Sequence, residues 1–228
     1  MNRLTGRKTA NLSRIAQLFQ NPLQLLYVLP AIIIGLTVHE WAHAYSAFRL
    51  GDPTARNLGR MTLNPIAHID PIGFIMLLVV GFGWAKPVPV NPRNFKNYKR
   101  DDIVVSLAGI FSNLITAFLF SFVYVAGVLK WGLGTNTAFM SIFGSIITIN
   151  LALAIFNLIP IYPLDGSHVL EALLIRKIPR FFMFLRQYGQ WILLGLLLTG
   201  VVSTVLGYLI SGISSGFFTV AAWFINLF

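Results

Sequence analysis

Cysteine is absent from this 228-residue chain. That excludes disulfides and thiolate metal sites alike. Charge is scarce too. Asp, Glu, Lys and Arg together make up 11% of the residues, against about 25% in ordinary globular chains. Acidic groups are the scarcest, with seven Asp and Glu against 17 Lys and Arg, and there are only four His. What fills the chain instead is apolar, 56% of it, including nineteen Phe, seven Tyr and five Trp. Aromatic side chains in that number suit membrane–water interfaces. The composition is that of an integral membrane protein. The basic excess does not point to nucleic acid, because Lys and Arg sit in short segments between apolar runs. That is the pattern of topology signals and contacts with anionic lipid.

Residues 1–20 are polar and basic, and "NLSRIAQLFQ" has the character of a short amphipathic interfacial helix. The apolar run after it is too long for a cleaved signal peptide. Residues 21–228 read as a single membrane domain, without a soluble insertion or an internal repeat. Full spans are expected at Leu23 to Phe48, Ile103 to Leu129, Ala138 to Pro160 and Tyr188 to Ile210, each long enough for roughly 30 Å of hydrocarbon. "PIGFIMLLVVGFGW" is too short for a comfortable crossing and suggests a re-entrant segment. "AKPVPVNPRNFKNYKRDD" is a Pro-rich basic loop, with an extended or β-hairpin element at 84–92. A short helix is expected from Ser167 to Ile175, and the tail from Gly212 is apolar but broken by glycine. The fold class is therefore an all-α polytopic membrane protein with about four to six transmembrane or re-entrant segments.

Lys and Arg distribute unevenly about those spans. If 71–83 dips in and returns, residues 49–70, 84–102 and 161–187 share one side and carry 12 Lys and Arg, leaving 5 for the other. The richer side is expected to be cytoplasmic.

Against this background "TVHEWAHAYS", residues 37–46, is conspicuous. No charge occurs from Leu23 to Leu36, and then Glu40 appears between His39 and His43. A charged residue in a spanning helix costs about 2.5–3.5 kcal/mol on insertion scales and marks function by default. His39 and His43, at i and i+4, lie on one helix face. At that spacing two imidazoles can bind one Zn²⁺, with Glu40 beside a water as general base. A chance match in a packed helix would leave three polar groups in an apolar span with no purpose.

A catalytic zinc takes a third protein ligand, and few candidates exist. Asp52 and Asp70 lie in the polar loop after the first span, and Asp101 and Asp102 read as a solvated pair before the second. Asp165, in "NLIPIYPLDGSHV", follows the third span at a Pro-rich break. It is either a helix N-cap or the third ligand. Two crossings separate it from the end of the first span, so both motifs reach the same side of the membrane. Asp165 fits as the third ligand.

"HEWAH" together with "NLIPIYPLDG" resembles the site-2 protease family of intramembrane zinc metalloproteases. "GRMTLNPIAHIDPIG", "GWAKPVPVNP" and "SLAGIFSN" are similar to its compact prokaryotic branch without PDZ or CBS domains. The chain departs from that branch at Ile110 and Tyr162. The resemblance implies one Zn²⁺ per chain held by His39, His43 and Asp165, with Glu40 activating water. It also implies a multi-pass protein of a prokaryotic cell membrane, its active site near the cytoplasmic side. The partners would be the bilayer and membrane-spanning protein or peptide substrates.

Asn157 either holds substrate backbone or the oxyanion, or satisfies carbonyls freed at Pro160. Asn113 faces a similar choice, with hydrogen bonding between helices as the alternative. His68 is a candidate for contact with the zinc ligands or substrate. His168 and Glu171 read as a residue facing elsewhere and a polar-face residue. The rival reading is a metal-binding transporter or an inactive scaffold of the same fold. A transporter site has no need of a non-ligand carboxylate beside His39, and a decayed protease would be expected to have lost a ligand or the base.

Overall fold

The computed structural model describes residues 22–80 and 83–227; the basic segment at 1–20 lies outside them. Eight α-helices are present among the described residues: α1 (Pro22–Arg49), α2 (Thr54–Asn57), α3 (Pro71–Val80), α4 (Tyr98–Leu129), α5 (Thr137–Asn157), α6 (Asp165–Leu174), α7 (Pro179–Thr199) and α8 (Val201–Ile225). Five of these, α1, α4, α5, α7 and α8, are long and apolar enough to cross a membrane. The described residues are all-α; in hydrocarbon a helix satisfies its backbone polar groups within itself.

Local signals set the helix ends. Asn97 accepts from Arg100 N–H at the start of α4, and Asn136 accepts from Phe139 N–H at the start of α5, the ordinary task of an N-cap side chain. Asp70 does the same for α3, accepting from Ile72 N–H at 2.9 Å and Gly73 N–H at 2.8 Å. With ten residues, α3 reaches only about 15 Å. The chain then returns. Ala85 pairs with Ile69 in an isolated antiparallel bridge, and a Cβ at Gly73 would overlap the Trp84 carbonyl. The segment is too short to span and its two ends lie side by side, as a re-entrant piece requires. Residues 84–91 are non-helical and form no hairpin; the bridge to Ile69 is their β pairing among the described residues.

The C-terminal part corrects the expected span boundaries. In place of one helix over 188–210 followed by a broken tail, α7 starts at Pro179 and stops at Gly200, where φ is +75°. Only glycine adopts that conformation readily. The tail is the full-length helix α8, and its glycines at 207, 212 and 216 leave it unbroken.

The core forms where α1, α4 and α5 pack together, with α8 laid against α4 and α5. Ala117, Ile147 and Leu151 are buried there, against Ile210, Ile213, Phe217 and Phe218 of α8. α7 packs by Phe182 and Leu185, and its Gly189 leaves room for the Tyr162 backbone.

Several polar residues also differ from expectation. Asp101 is buried and accepts from Asn97 N–H, whereas Asp102 lies 4.0 Å from His168 Nδ1, so the two are no solvated pair. Glu171 is buried and paired with Arg186 of α7 rather than set on a polar face.

Candidate metal centre

His39, Glu40 and His43 lie toward the end of α1, all buried. His43 is six residues short of Arg49, about 9 Å along the helix axis. Asp165 is the first residue of α6 and is not its cap; Leu164 occupies that place. A Cβ on Gly166 would overlap the Leu158 carbonyl. The missing side chain lets α6 begin tight against the end of α5 and brings Asp165 to α1.

Three donor atoms converge. His39 Nε2 and His43 Nε2 are 3.1 Å apart, and each is 3.3 Å from Asp165 Oδ2. Asp165 Oδ2 is buried without a hydrogen-bond partner. The other ring nitrogens fix the tautomers. His43 Nδ1 lies 2.8 Å from the Val105 carbonyl, which can only accept, so Nδ1 carries the proton. His39 Nδ1 is 2.7 Å from Asn113 Oδ1. The orientation of that amide follows from its other end, where Nδ2 donates to the Gly35 carbonyl at 2.9 Å and to Asn150 Oδ1 at 2.8 Å. Asn150 in turn donates to the Ile146 carbonyl. Both Nδ1 atoms are donors, so in the neutral rings both Nε2 lone pairs face Asp165.

That arrangement fits a divalent cation. Four-coordinate zinc at about 2.0–2.1 Å from its ligands needs donor-to-donor edges of about 3.3 Å. The observed edges of 3.1–3.3 Å match. Two imidazoles and a carboxylate also suit zinc chemically, and second bonds from metal-binding histidines to carbonyl oxygens are the usual support. Glu40 stands outside the trio; its Oε2 accepts from Val88 N–H at 2.7 Å.

The structure thus brings together His39, His43 and Asp165, and adds Asn113 as the partner of His39. Asn113 makes the bond between helices that its position suggested. The remaining candidates make local hydrogen bonds. His68 is fully buried, with Nε2 2.7 Å from the Thr62 carbonyl. Asn157 Nδ2 donates to the Leu153 carbonyl, one turn back in its own helix. Sequence reasoning missed Asn150, the Val105 carbonyl, Val88 and Gly109. A Cβ on Gly109 would come within 2.5 Å of His43 Nε2 and 2.7 Å of the His39 ring. Both Gly109 and Asn113 lie in "SLAGIFSN", so the signal was present there without its meaning.

Comparison with known proteins agrees with this geometry. Residues 125–196 match the model of peptidase family M50. YwhC of Bacillus subtilis, named as a candidate zinc metalloprotease, is 43% identical over 190 residues, 81% of this chain and 86% of YwhC. Rip2 of Mycolicibacterium smegmatis, named likewise, is 28% identical over 184 residues, 76% of this chain and 67% of its own length. Rip2 of Mycobacterium tuberculosis is 29% identical over 212 residues, 88% of this chain and 73% of its own. No solved structure matches the chain. From the extent of its identity to YwhC, and from the family match over α5, α6 and the flanking residues, the chain belongs to peptidase family M50.

Proposed function

We propose that this protein is a zinc-dependent endopeptidase that cleaves membrane-spanning substrates, with His39, His43 and Asp165 holding the metal and Glu40 as general base. The observation that carries the proposal is the convergence of two imidazoles and a carboxylate beside a second, non-ligand carboxylate, toward the end of an apolar helix. The names of the relatives, all for zinc metalloproteases, support the metal and the reaction class.

When bound, zinc supplies Lewis acidity toward a carbonyl oxygen and a water molecule. The side chains do the rest. Asn113 and the Val105 carbonyl hold the two imidazoles as Nδ1–H tautomers, directing both Nε2 lone pairs inward. Glu40 removes a proton from the water as its oxygen adds to the scissile carbonyl carbon. It then delivers that proton to the amide nitrogen as the C–N bond breaks, giving a carboxylic acid and an amine. A helical substrate must unwind locally, because its carbonyls are otherwise hydrogen-bonded and sterically covered.

The test is Glu40→Gln, which keeps size and hydrogen bonding but removes basicity. The variant is expected to retain about one zinc per chain and to cleave a bilayer-embedded peptide at least about 100-fold more slowly. Mass spectrometry of the products should locate the cut within or at the edge of the peptide's apolar segment. Near-normal cleavage would remove Glu40 from the mechanism. Loss of zinc would make it a ligand.

A further inference from the structure

The Glu40 carboxylate does not hang freely in the site. Its Oε2 is held by Val88 N–H at 2.7 Å, and both residues are buried. Val88 belongs to the non-helical segment 84–91, and both ends of that segment are tied down by polar groups with no other task at the metal centre. At the near end, Lys86 N–H donates to the His68 carbonyl at 2.9 Å. Arg60 Nη2 donates to the carbonyls of Lys86 at 2.8 Å and Pro87 at 3.3 Å. At the far end, Asp52 Oδ2 accepts from Asn91 N–H and its Oδ1 from Asn94 Nδ2, both at 2.7 Å. Asp52 is fully buried. Burial alone would raise its pKa, but these bonds and those from Thr54 outweigh it and hold the carboxyl below its ordinary value. Between the two ends, the Val88 side chain packs with Ala44 of α1 and Ala55 of α2.

The prolines decide which groups the segment offers. The N–H groups of Lys86 and Val88 are both bonded within the molecule. Pro87 and Pro89 have no N–H to offer. The donors at 86 and 88 face inward, to His68 and Glu40. An incoming peptide strand at the outer edge would meet no donor at 87 or 89. This stretch suits the fixing of an internal carboxylate better than the capture of a strand.

We infer that the Val88 N–H is a positioning group for Glu40, and that Arg60 and Asp52 are positioning residues that hold the segment carrying it. The inference rests on Glu40 acting as the base. With Oε2 fixed, Oε1 is left for the reacting water, and the carboxylate needs no reorientation during the reaction.

Replacing Val88 by its α-hydroxy acid converts one amide to an ester, which deletes that N–H and weakens the Pro87 carbonyl as an acceptor for Arg60. Zinc should stay at about one per chain and KM should be unchanged, while kcat falls at least about 10-fold, the size expected for losing a hydrogen bond to a charged acceptor. The same exchange at Val90, whose N–H has no hydrogen bond among the described residues, should leave kcat unaltered. Arg60→Met and Asp52→Ala should also lower kcat at constant KM and zinc content, with Arg60→Lys recovering part of the loss. In a Glu40→Gln background none of these changes should slow the residual reaction further, because they act through Glu40. A normal kcat for the Val88 ester, or an equal loss in both backgrounds, would overturn the positioning role while leaving a slow Glu40→Gln intact. Near-normal cleavage by Glu40→Gln alone would overturn the base assignment and the inference together.

Discussion

Gly109 has no Cβ, and the two imidazoles occupy the space where one would lie. A glycine inside a helix costs up to about 1 kcal/mol relative to alanine, so Gly109→Ala should help α4 as a helix and harm the site. The added methyl group must displace the His39 and His43 rings, or α1 must move off α4. Zinc affinity is expected to fall at least about 10-fold, comparable to losing a group that orients a ligand, while thermal stability of the metal-free protein changes little. Competition with a chelator measures the first quantity, and melting in detergent the second. Unaltered affinity would mean that the helices separate without cost. The same scale explains Asn113: a neutral amide lets His39 keep its Nδ1 proton, and the bonds to Gly35 and Asn150 keep the amide from turning.

Among the elements, α6 matters out of proportion to its length, since it carries Asp165 to the metal centre. Its far end is fastened to α7 by Arg186, which meets both oxygens of Glu171. Glu171 is 8% exposed at its side chain and Arg186 58% exposed, so the carboxylate bears most of the burial. Removing one partner then differs from removing both. Arg186→Met leaves a buried carboxylate without its cation and should destabilise by about 1–3 kcal/mol. Combining it with Glu171→Gln should restore part of that loss, because no uncompensated charge remains. Melting temperatures of the three variants in one detergent test the order. A double variant less stable than Arg186→Met would show that Glu171 has a second role.

For the whole molecule, the decisive relation is that the end of α1 carrying His39 and His43 meets the start of α6. Two crossings, α4 and α5, lie between them. Single cysteines at Asn97 and Ile178 should therefore be labelled by an impermeant reagent from the same side, and one at Thr135 from the other. The absence of native cysteine keeps the background clean. The side shared by Asn97 and Ile178 is expected to be cytoplasmic, because most Lys and Arg lie there. Labelling of Asn97 and Ile178 from opposite sides would contradict the crossing of α4 and α5. The apolar outer faces of α7 and α8, including Trp191, Leu198, Tyr208 and Trp223, need no protein partner in this setting, since lipid is their solvent.

What the chain determined by itself is whatever depends on neighbours within one or two helical turns. His39 and His43 share a face because of the α-helical repeat, and an acid in an apolar run is costly whatever surrounds it. That α3 is too short to span was legible from the length of its apolar run, and the break before Asp165 from its prolines. Other features depend on how the helices are rotated and where loops return, and an apolar pattern around a whole helix does not specify rotation. Val88 meets Glu40 across 48 residues, Val105 meets His43 across 62, and Asn113 meets His39 across 74. No local spacing encodes those pairs. The boundary at Gly200 was hidden for a related reason. Glycines at 195, 200, 207, 212 and 216 look alike in sequence, and only Gly200 adopts a positive φ. The helices on either side of it are fixed by packing: Phe182 and Leu185 on one, Phe217 and Phe218 on the other. Tertiary structure decided which glycine turns the chain, because only packing distinguishes a glycine that ends a helix from one that continues it.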